Sequence, residues 1–223
     1  MGFLREEDKE YLRQKFASEL EKPVVLLFFK KNIGCDYCED EEKLLKEVAE
    51  ISDKIEVVVK NVVTDKAEAE KYAIHDAPAL AILQKQEDGE PIDFGMRYFG
   101  IPAGYEFSAF IESIVLASTG RSGLSPEIEE QIKDIDKDVL IYVFVTPTCP
   151  YCPRAVLTSH RFAVANPHIR GYMIEALEYP QWADQYHVHA VPKIVINDIV
   201  EFEGAYPEPF FAEKIREAVA LTK

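Results

Sequence analysis

Apolar residues recur along this chain in two alternating registers. Over residues 6–20, Tyr11, Leu12, Phe16 and Leu20 fall at helical spacing, and Pro23 closes the segment. Residues 24–29, Val-Val-Leu-Leu-Phe-Phe, are an unbroken apolar run of strand length, the pattern of a strand covered on both faces. A polar loop follows, and then Leu44, Leu45, Val48 and Ala49 mark one face of a helix whose other face is densely acidic. Residues 55–63 read as a strand, and a short helix runs from a cap at Thr64 or Asp65 to about Tyr72. Residues 79–83, entered through Ala77 and Pro78, form a strand that turns at 86–91 and returns as a hairpin at 96–99. A helix is expected over 105–117, then the flexible stretch Ser-Thr-Gly-Arg-Ser-Gly at 118–123. Ser125, Pro126 and Glu127 start the next helix, with a cap, a first-turn proline and an acid on the helix dipole. From there the order begins again, with an apolar strand at 139–145 and a helix at 154–164.

The recurrence is numerical as well. Cys35 and Cys149 are 114 positions apart, and so are Cys38 and Cys152, Tyr72 and Tyr186, and Pro78 and Pro192. The offset shrinks to 104 at Gly100 and Gly204, where the second hairpin turn, Asn197-Asp198, is tighter. One shared spacing could be chance; a run of them indicates a duplicated unit. Each unit opens as strand, helix, strand and closes on a hairpin, which predicts parallel pairing with an antiparallel addition. The expected fold is α/β with two tandem units, residues 1–119 and 120–223, each a central mixed sheet flanked by helices.

All four cysteines lie in two Cys-x-x-Cys pairs, each between an apolar strand and a helix. In the chain-entropy model a loop of four residues gives a disulfide at most roughly 2 kcal/mol, against about 4.7 for a 100-residue loop. Stapling is therefore a poor reason for this spacing, and reversible oxidation a better one. At a helix start the first thiol meets free N–H groups and the positive dipole end, which lowers thiol pKa values to about 3.5–7.5. Cys35 and Cys149 are thus the expected attacking thiols, and Cys38 and Cys152, one turn in, the resolving ones. The acids Glu39, Asp40, Glu41 and Glu42 oppose a thiolate at the first site, whereas Pro153 and Arg154 leave the dipole unopposed at the second. Cys149 is accordingly expected to be the more acidic thiol. Lys30 and Lys31 offset part of this difference.

A strand, a Cys-x-x-Cys helix and a proline about 40 residues on, before another strand, resemble the thioredoxin fold. Two such units resemble the protein disulfide oxidoreductases of thermophilic archaea and bacteria. The resemblance implies that Pro78 and Pro192 are cis and pack against the disulfides, leaving Ala77 and Val191 to pair with a substrate strand. Cys-Pro-Tyr-Cys at 149–152 is glutaredoxin-like, and the strand position that carries a buried acid in thioredoxins is here Phe29 or Val143. Glutaredoxins place two glycines after the last hairpin, where this chain has Gly204-Ala205, which argues against glutathione use. The implied activity is oxidation, reduction or isomerisation of protein disulfides. No cofactor is expected beyond the cysteine pairs, and no metal. Reducing equivalents are expected from a thioredoxin-reductase-like donor.

The net charge of −15 argues against nucleic acid and against an anionic membrane surface. No apolar run approaches the roughly 18–20 residues of a membrane span, and residues 1–10 lack the pattern of a secretion signal. A cytoplasmic location is expected. Charged residues make up 29% of the chain, with only four Asn and six Gln, a balance that leans towards a thermophile. Other readings are a dedicated glutaredoxin- or thioredoxin-like electron donor to one partner such as a peroxiredoxin, a structural zinc module, and a chaperone-like acidic surface. Zinc ribbons separate their pairs by about 15–20 residues, whereas 110 lie between Cys38 and Cys149. His187 and His189 are loop residues near the second site, and His75, His160 and His168 belong to no constellation. Trp182 is expected in the core and the acidic helix faces in solvent.

Overall fold

The computed structural model describes residues 2–222. Among them the first unit comprises α1 (Glu6–Glu19), β1 (Val24–Lys30), α2 (Cys38–Ala49), β2 (Ile55–Asn61), α3 (Lys66–Lys71), β3 (Ala79–Gln84), β4 (Ile92–Phe99) and α4 (Glu106–Thr119). The second comprises α5 (Pro126–Ile132), β5 (Val139–Val145), α6 (Cys152–Ala165), β6 (Ile169–Glu175), α7 (Pro180–Gln185), β7 (Lys193–Ile196), β8 (Val200–Glu203) and α8 (Glu208–Leu221). The order is that read from the sequence. The first hairpin is longer than expected, because β4 begins at the exposed Ile92 and Asp93 and continues past an irregularity in its pairing with β3.

Each unit contributes four strands, with β1 and β5 at equivalent interior positions. β1 pairs parallel with β2 and antiparallel with β3, and β5 does the same with β6 and β7. Cores on both faces of the sheet take the alternating side chains of these strands, which explains why both are almost wholly apolar. The two sheets are continuous: β4 pairs parallel with β6, from Met96 opposite Gly171 to Phe99 opposite Ile174. The result is one eight-stranded sheet in the order β2-β1-β3-β4-β6-β5-β7-β8. The join is head to tail, the last strand of one unit meeting the second strand of the next.

One face of the sheet carries a core built with α1, α2, α4, α5, α6 and α8. A smaller core lies on the other face under α3 and α7, with Tyr142, Tyr172, Tyr179, Trp182 and Phe99 clustered in it. Across the junction α4 packs on α6. There Ser113 Oγ lies 3.0 Å from Tyr98 Oη and 2.8 Å from His160 Nδ1, all fully buried. Burial holds the His160 imidazole neutral, with its pKa down to about 3. Gly171 permits the close approach of α6 to β6, since a Cβ there would stand 2.9 Å from the Ser159 backbone. Gly120 ends α4 with a left-handed residue at φ 64°, and Ser125 caps α5.

Candidate active sites

The apolar β1 delivers the chain to a loop, and α2 begins at Cys38 itself. Cys35 and Cys38 are joined as a disulfide with Cα atoms 5.5 Å apart. Cys35 is half-buried, whereas Cys38 is buried and its Sγ lies 3.5 Å from the Lys31 N–H. The Ala77–Pro78 bond is cis. Asp76 accepts the Ala77 N–H at 2.7 Å and pairs with the Lys31 ammonium, tying the proline loop to the cysteine loop. A groove of about 350 Å³ fronts this disulfide, with Lys30, Lys31, Asp36, Glu39 and Asp40 on its walls.

The second site repeats the arrangement at the end of β5. Cys149 and Cys152 are paired with Cα atoms 5.5 Å apart, and the Cys152 N–H points at Cys149 Sγ from 3.1 Å. The Val191–Pro192 bond is cis, and Val191 O lies 3.7 Å from Cys149 Sγ. The first turn of α6 holds no acid. The neighbouring groove, about 300 Å³, is mostly apolar, with Leu177, Pro180, Val188, Ala190 and Val191 among its walls. A thiol at a helix start is expected to be open to solvent, yet Cys149 is only 8% exposed. It packs into the core of its face, and the Tyr105 N–H of the first unit donates to Pro147 O, two residues away, at 3.0 Å.

The acids after Cys38 are largely neutralised. Glu42 takes both Lys30 and Lys46 at 2.6 Å, and these hydrogen-bonded cations hold its carboxyl below the usual range. Asp40 pairs with Lys43 at 3.5 Å. Glu41 is fully buried with neither carboxylate oxygen partnered, so burial, with the Glu178 charge adding, keeps its carboxyl protonated well above the ordinary range. Glu178 comes from the second unit, between β6 and α7; its Oε1 accepts the Ile101 N–H at 2.9 Å and its Oε2 is buried without a partner. Burial lifts Glu178 to about 7. Beside it, the Tyr179 hydroxyl donates to Pro78 O at 2.8 Å. Glu106, first in α4, is a third buried carboxyl without a partner, raised to about 8 by burial.

The family model for the thioredoxin domain matches residues 139–217. A protein disulfide oxidoreductase of Aeropyrum pernix superposes with a TM-score of 0.87 at 32% identity, over 97% of this chain and 94% of that one. The chain belongs to the protein disulfide oxidoreductase family. The alkylhydroperoxide reductase AhpF of Enterococcus faecalis has the same fold, with a TM-score of 0.86 at 24% identity over 96% of this chain and 99% of that one. Curated relatives include the NADH dehydrogenase of Bacillus subtilis, 28% identical over 73% of this chain and 28% of that protein. The AhpF alkyl hydroperoxide reductase of Pseudomonas aeruginosa is 26% identical over 72% of this chain and 28% of its own length. The chain thus spans little more than a quarter of the length of these two curated relatives.

In this member of the oxidoreductase family, Cys35, Cys38, Ala77 and Pro78 come together at one site, and Cys149, Cys152, Val191 and Pro192 at the other. Among the described residues no group of three or more His, Cys, Asp or Glu side chains is placed to hold a metal ion, and no helix is long and apolar enough to cross a membrane. His189 lines the second groove. Sequence reasoning alone does not single out Glu41, Glu106, Glu178 or Tyr179 as site residues. For Glu41 a signal exists: it lies three residues after Cys38, on the stripe that continues through Leu44, Leu45 and Val48. Glu178 and Tyr179 carry none, because their hydrogen bonds are made to the facing unit, and Glu106 carries none either.

Proposed function

We propose that this chain oxidises, reduces or isomerises disulfides of client proteins by dithiol exchange at two sites. Cys35 and Cys149 attack, and Cys38 and Cys152 resolve the mixed disulfides. The observation that carries this reading is the repeated constellation itself: a Cys-x-x-Cys disulfide at a helix start facing a cis-proline loop, twice in one chain. A client strand pairs with the backbone at Val191, and at Ala77 in competition with Asp76. Residues 1–119 and 120–223 act as the two units, in the cytoplasm. The cysteine pairs are the redox centres, without a further cofactor, and a thioredoxin-reductase-like protein recharges them. The test is insulin reduction and refolding of a scrambled disulfide protein by the wild type and the Cys35→Ser and Cys149→Ser variants. Absence of turnover in every assay would refute the reading.

A second reading is favoured by the shared fold and sequence likeness with the AhpF alkyl hydroperoxide reductases: electron delivery to a single peroxiredoxin-type partner. It predicts activity with that partner and none with insulin, the opposite breadth to general exchange.

A further inference from the structure

Of the buried carboxyls that dithiol exchange leaves unexplained, Glu41 lies on the same helix as Cys38. Glu41 has both carboxylate oxygens sealed from solvent without a hydrogen-bond partner. Burying a polar group without a partner costs stability whatever its use, and such a group calls for an explanation. It occupies the position three residues after Cys38 on α2, where side chains share a face with Cβ atoms about 5–6 Å apart, and Cys38 is itself 2% exposed. The equivalent position in the second unit, 114 residues on, is Ala155. The feature therefore belongs to the first site alone.

The other groups around Glu41 are accounted for. Asp76, on the proline loop, is bound to Lys31 and to the Ala77 N–H. Tyr179, on the α7 side, gives its hydroxyl hydrogen to Pro78 O. Glu175, at the end of β6, accepts from the N–H groups of Leu177 and Glu178. On α2, Glu42 is held by Lys30 and Lys46. Glu178 offers a further orphaned oxygen: its Oε2 is buried without a partner, its Oε1 accepts the Ile101 N–H, and the residue as a whole is part-buried.

We propose that Glu41 is the proton donor and acceptor for Cys38, and that Glu178, supplied by the second unit, is its relay to solvent. The inference rests on the dithiol exchange proposed above. When a thiolate attacks Cys35 Sγ, a new S–S bond forms and the Cys35–Cys38 bond breaks. Its electron pair stays on Cys38 Sγ, which takes the Glu41 proton. Glu41, now a carboxylate, regains a proton from water through Glu178. In the closing direction a client is held on Cys35 as a mixed disulfide. Glu41 removes the Cys38 proton, the thiolate attacks Cys35 Sγ, and the client leaves as a thiolate. An ionised Glu178 beside Glu41 raises the proton affinity of Glu41, so the second unit sets the pH at which the first site exchanges protons.

The test uses the full chain carrying Cys149→Ser and Cys152→Ser, so that the first site alone reports. Cys35 is loaded as a mixed disulfide with a chromogenic aromatic thiol, and release of that thiol on closure is followed by stopped flow from pH 5 to 9. Glu41→Gln, which keeps shape and removes the ionisable proton, is expected to slow closure about a hundredfold, within the usual range for general acid–base catalysis, and to abolish one inflection of the pH–rate profile. Glu41→Asp should restore part of the rate. Glu178→Gln should keep that inflection but move it to lower pH. Closure of Glu41→Gln within threefold of its parent, with the same profile, would overturn the proposal while leaving dithiol exchange intact. Equal slowing in the Gln variants with no change of profile would mean a packing role only, and would overturn it too. If Glu41→Gln fails to fold, the Glu178→Gln inflection decides: an unmoved inflection refutes the relay. A parent whose first site never closes would overturn both this inference and the function it rests on.

Discussion

Tyr179 of the second unit donates its hydroxyl hydrogen to the carbonyl oxygen of Pro78 in the first, across 2.8 Å. The same oxygen accepts the Gly100 N–H at 3.0 Å, so the cis-proline loop of the first site is held from both units. At the second site Pro192 O accepts the Gly204 N–H at 2.9 Å. Tyr179→Phe keeps the ring against Phe99 and Trp182 and removes only the hydroxyl. The expected loss is about 1 kcal/mol of stability by denaturant unfolding. Exchange at the first site should change several-fold, with the second site unaltered. Equal effects at both sites would show that the bond serves packing only.

The acidic run after Cys38 and its absence after Cys152 predict a more acidic Cys149. The structure divides that expectation into two measurable quantities. With Glu42 paired to two lysines and Glu41 protonated, less negative charge opposes a thiolate at the first site than the residue count implies. Cys149 keeps an unopposed helix start but is 8% exposed, while Cys35 is half-buried. Iodoacetamide labelling against pH, on the reduced Cys149→Ser and Cys35→Ser proteins, should give Cys149 the lower midpoint. Cys35 should have the higher plateau rate at alkaline pH. A lower midpoint for Cys35 would refute the charge argument, and a higher plateau for Cys149 the accessibility argument.

The parts of the sites legible in the sequence are local ones. Strand, cysteine pair, helix and proline follow one another within 55 residues, and the offset of 114 repeats the cysteines and the proline. The β4–β6 pairing that makes one sheet is not legible, because either strand would read the same as a free edge. Among its neighbours Glu41 reads as one more solvated acid, although its spacing from Cys38 puts it on the buried face. His160 gains its partners, Ser113 and Tyr98, only when α4 and β4 of the first unit meet α6. Contacts between units leave no periodic trace in either one.

That junction also tolerates little added volume. At Gly100, φ is +100° and a Cβ would fall 2.6 Å from Glu175 Cβ. At Gly171 a Cβ would meet the Ser159 backbone at 2.9 Å. Gly171→Ala, which adds one methyl with no positive φ to complicate it, should destabilise by about 1–3 kcal/mol, read as a lower denaturation midpoint with an unchanged slope. A variant as stable as the wild type would show that α6 can lift from the sheet without cost.

Buried ionisable groups at the junction give stability a pH window whose two sides have different owners. Glu106 has a folded pKa of about 8, raised from 4.5 by burial. The folded state therefore holds the Glu106 proton more tightly than the unfolded chain does, so stability is fully present below about 4.5 and falls as pH rises to about 8. His160 has the opposite sign, with its pKa lowered from 6.5 to about 3. Its contribution is present above about 6.5 and is lost as pH falls towards 3. A tenfold change in proton affinity corresponds to about 1.4 kcal/mol, so either group alone accounts for roughly 3–5 kcal/mol across its window. Glu106→Gln should make the decline between pH 5 and 8 shallower, leaving the share that the buried Glu41 contributes with the same sign, and should leave the acid limb in place. Glu178, raised to about 7 and part-buried, adds a smaller decline over the same interval, which Glu178→Gln should remove separately. Denaturation midpoints measured from pH 4 to 9 for the wild type and both variants check the assignment. An alkaline limb that persists undiminished in Glu106→Gln would mean that this carboxyl is ionised in the folded protein and finds a partner there.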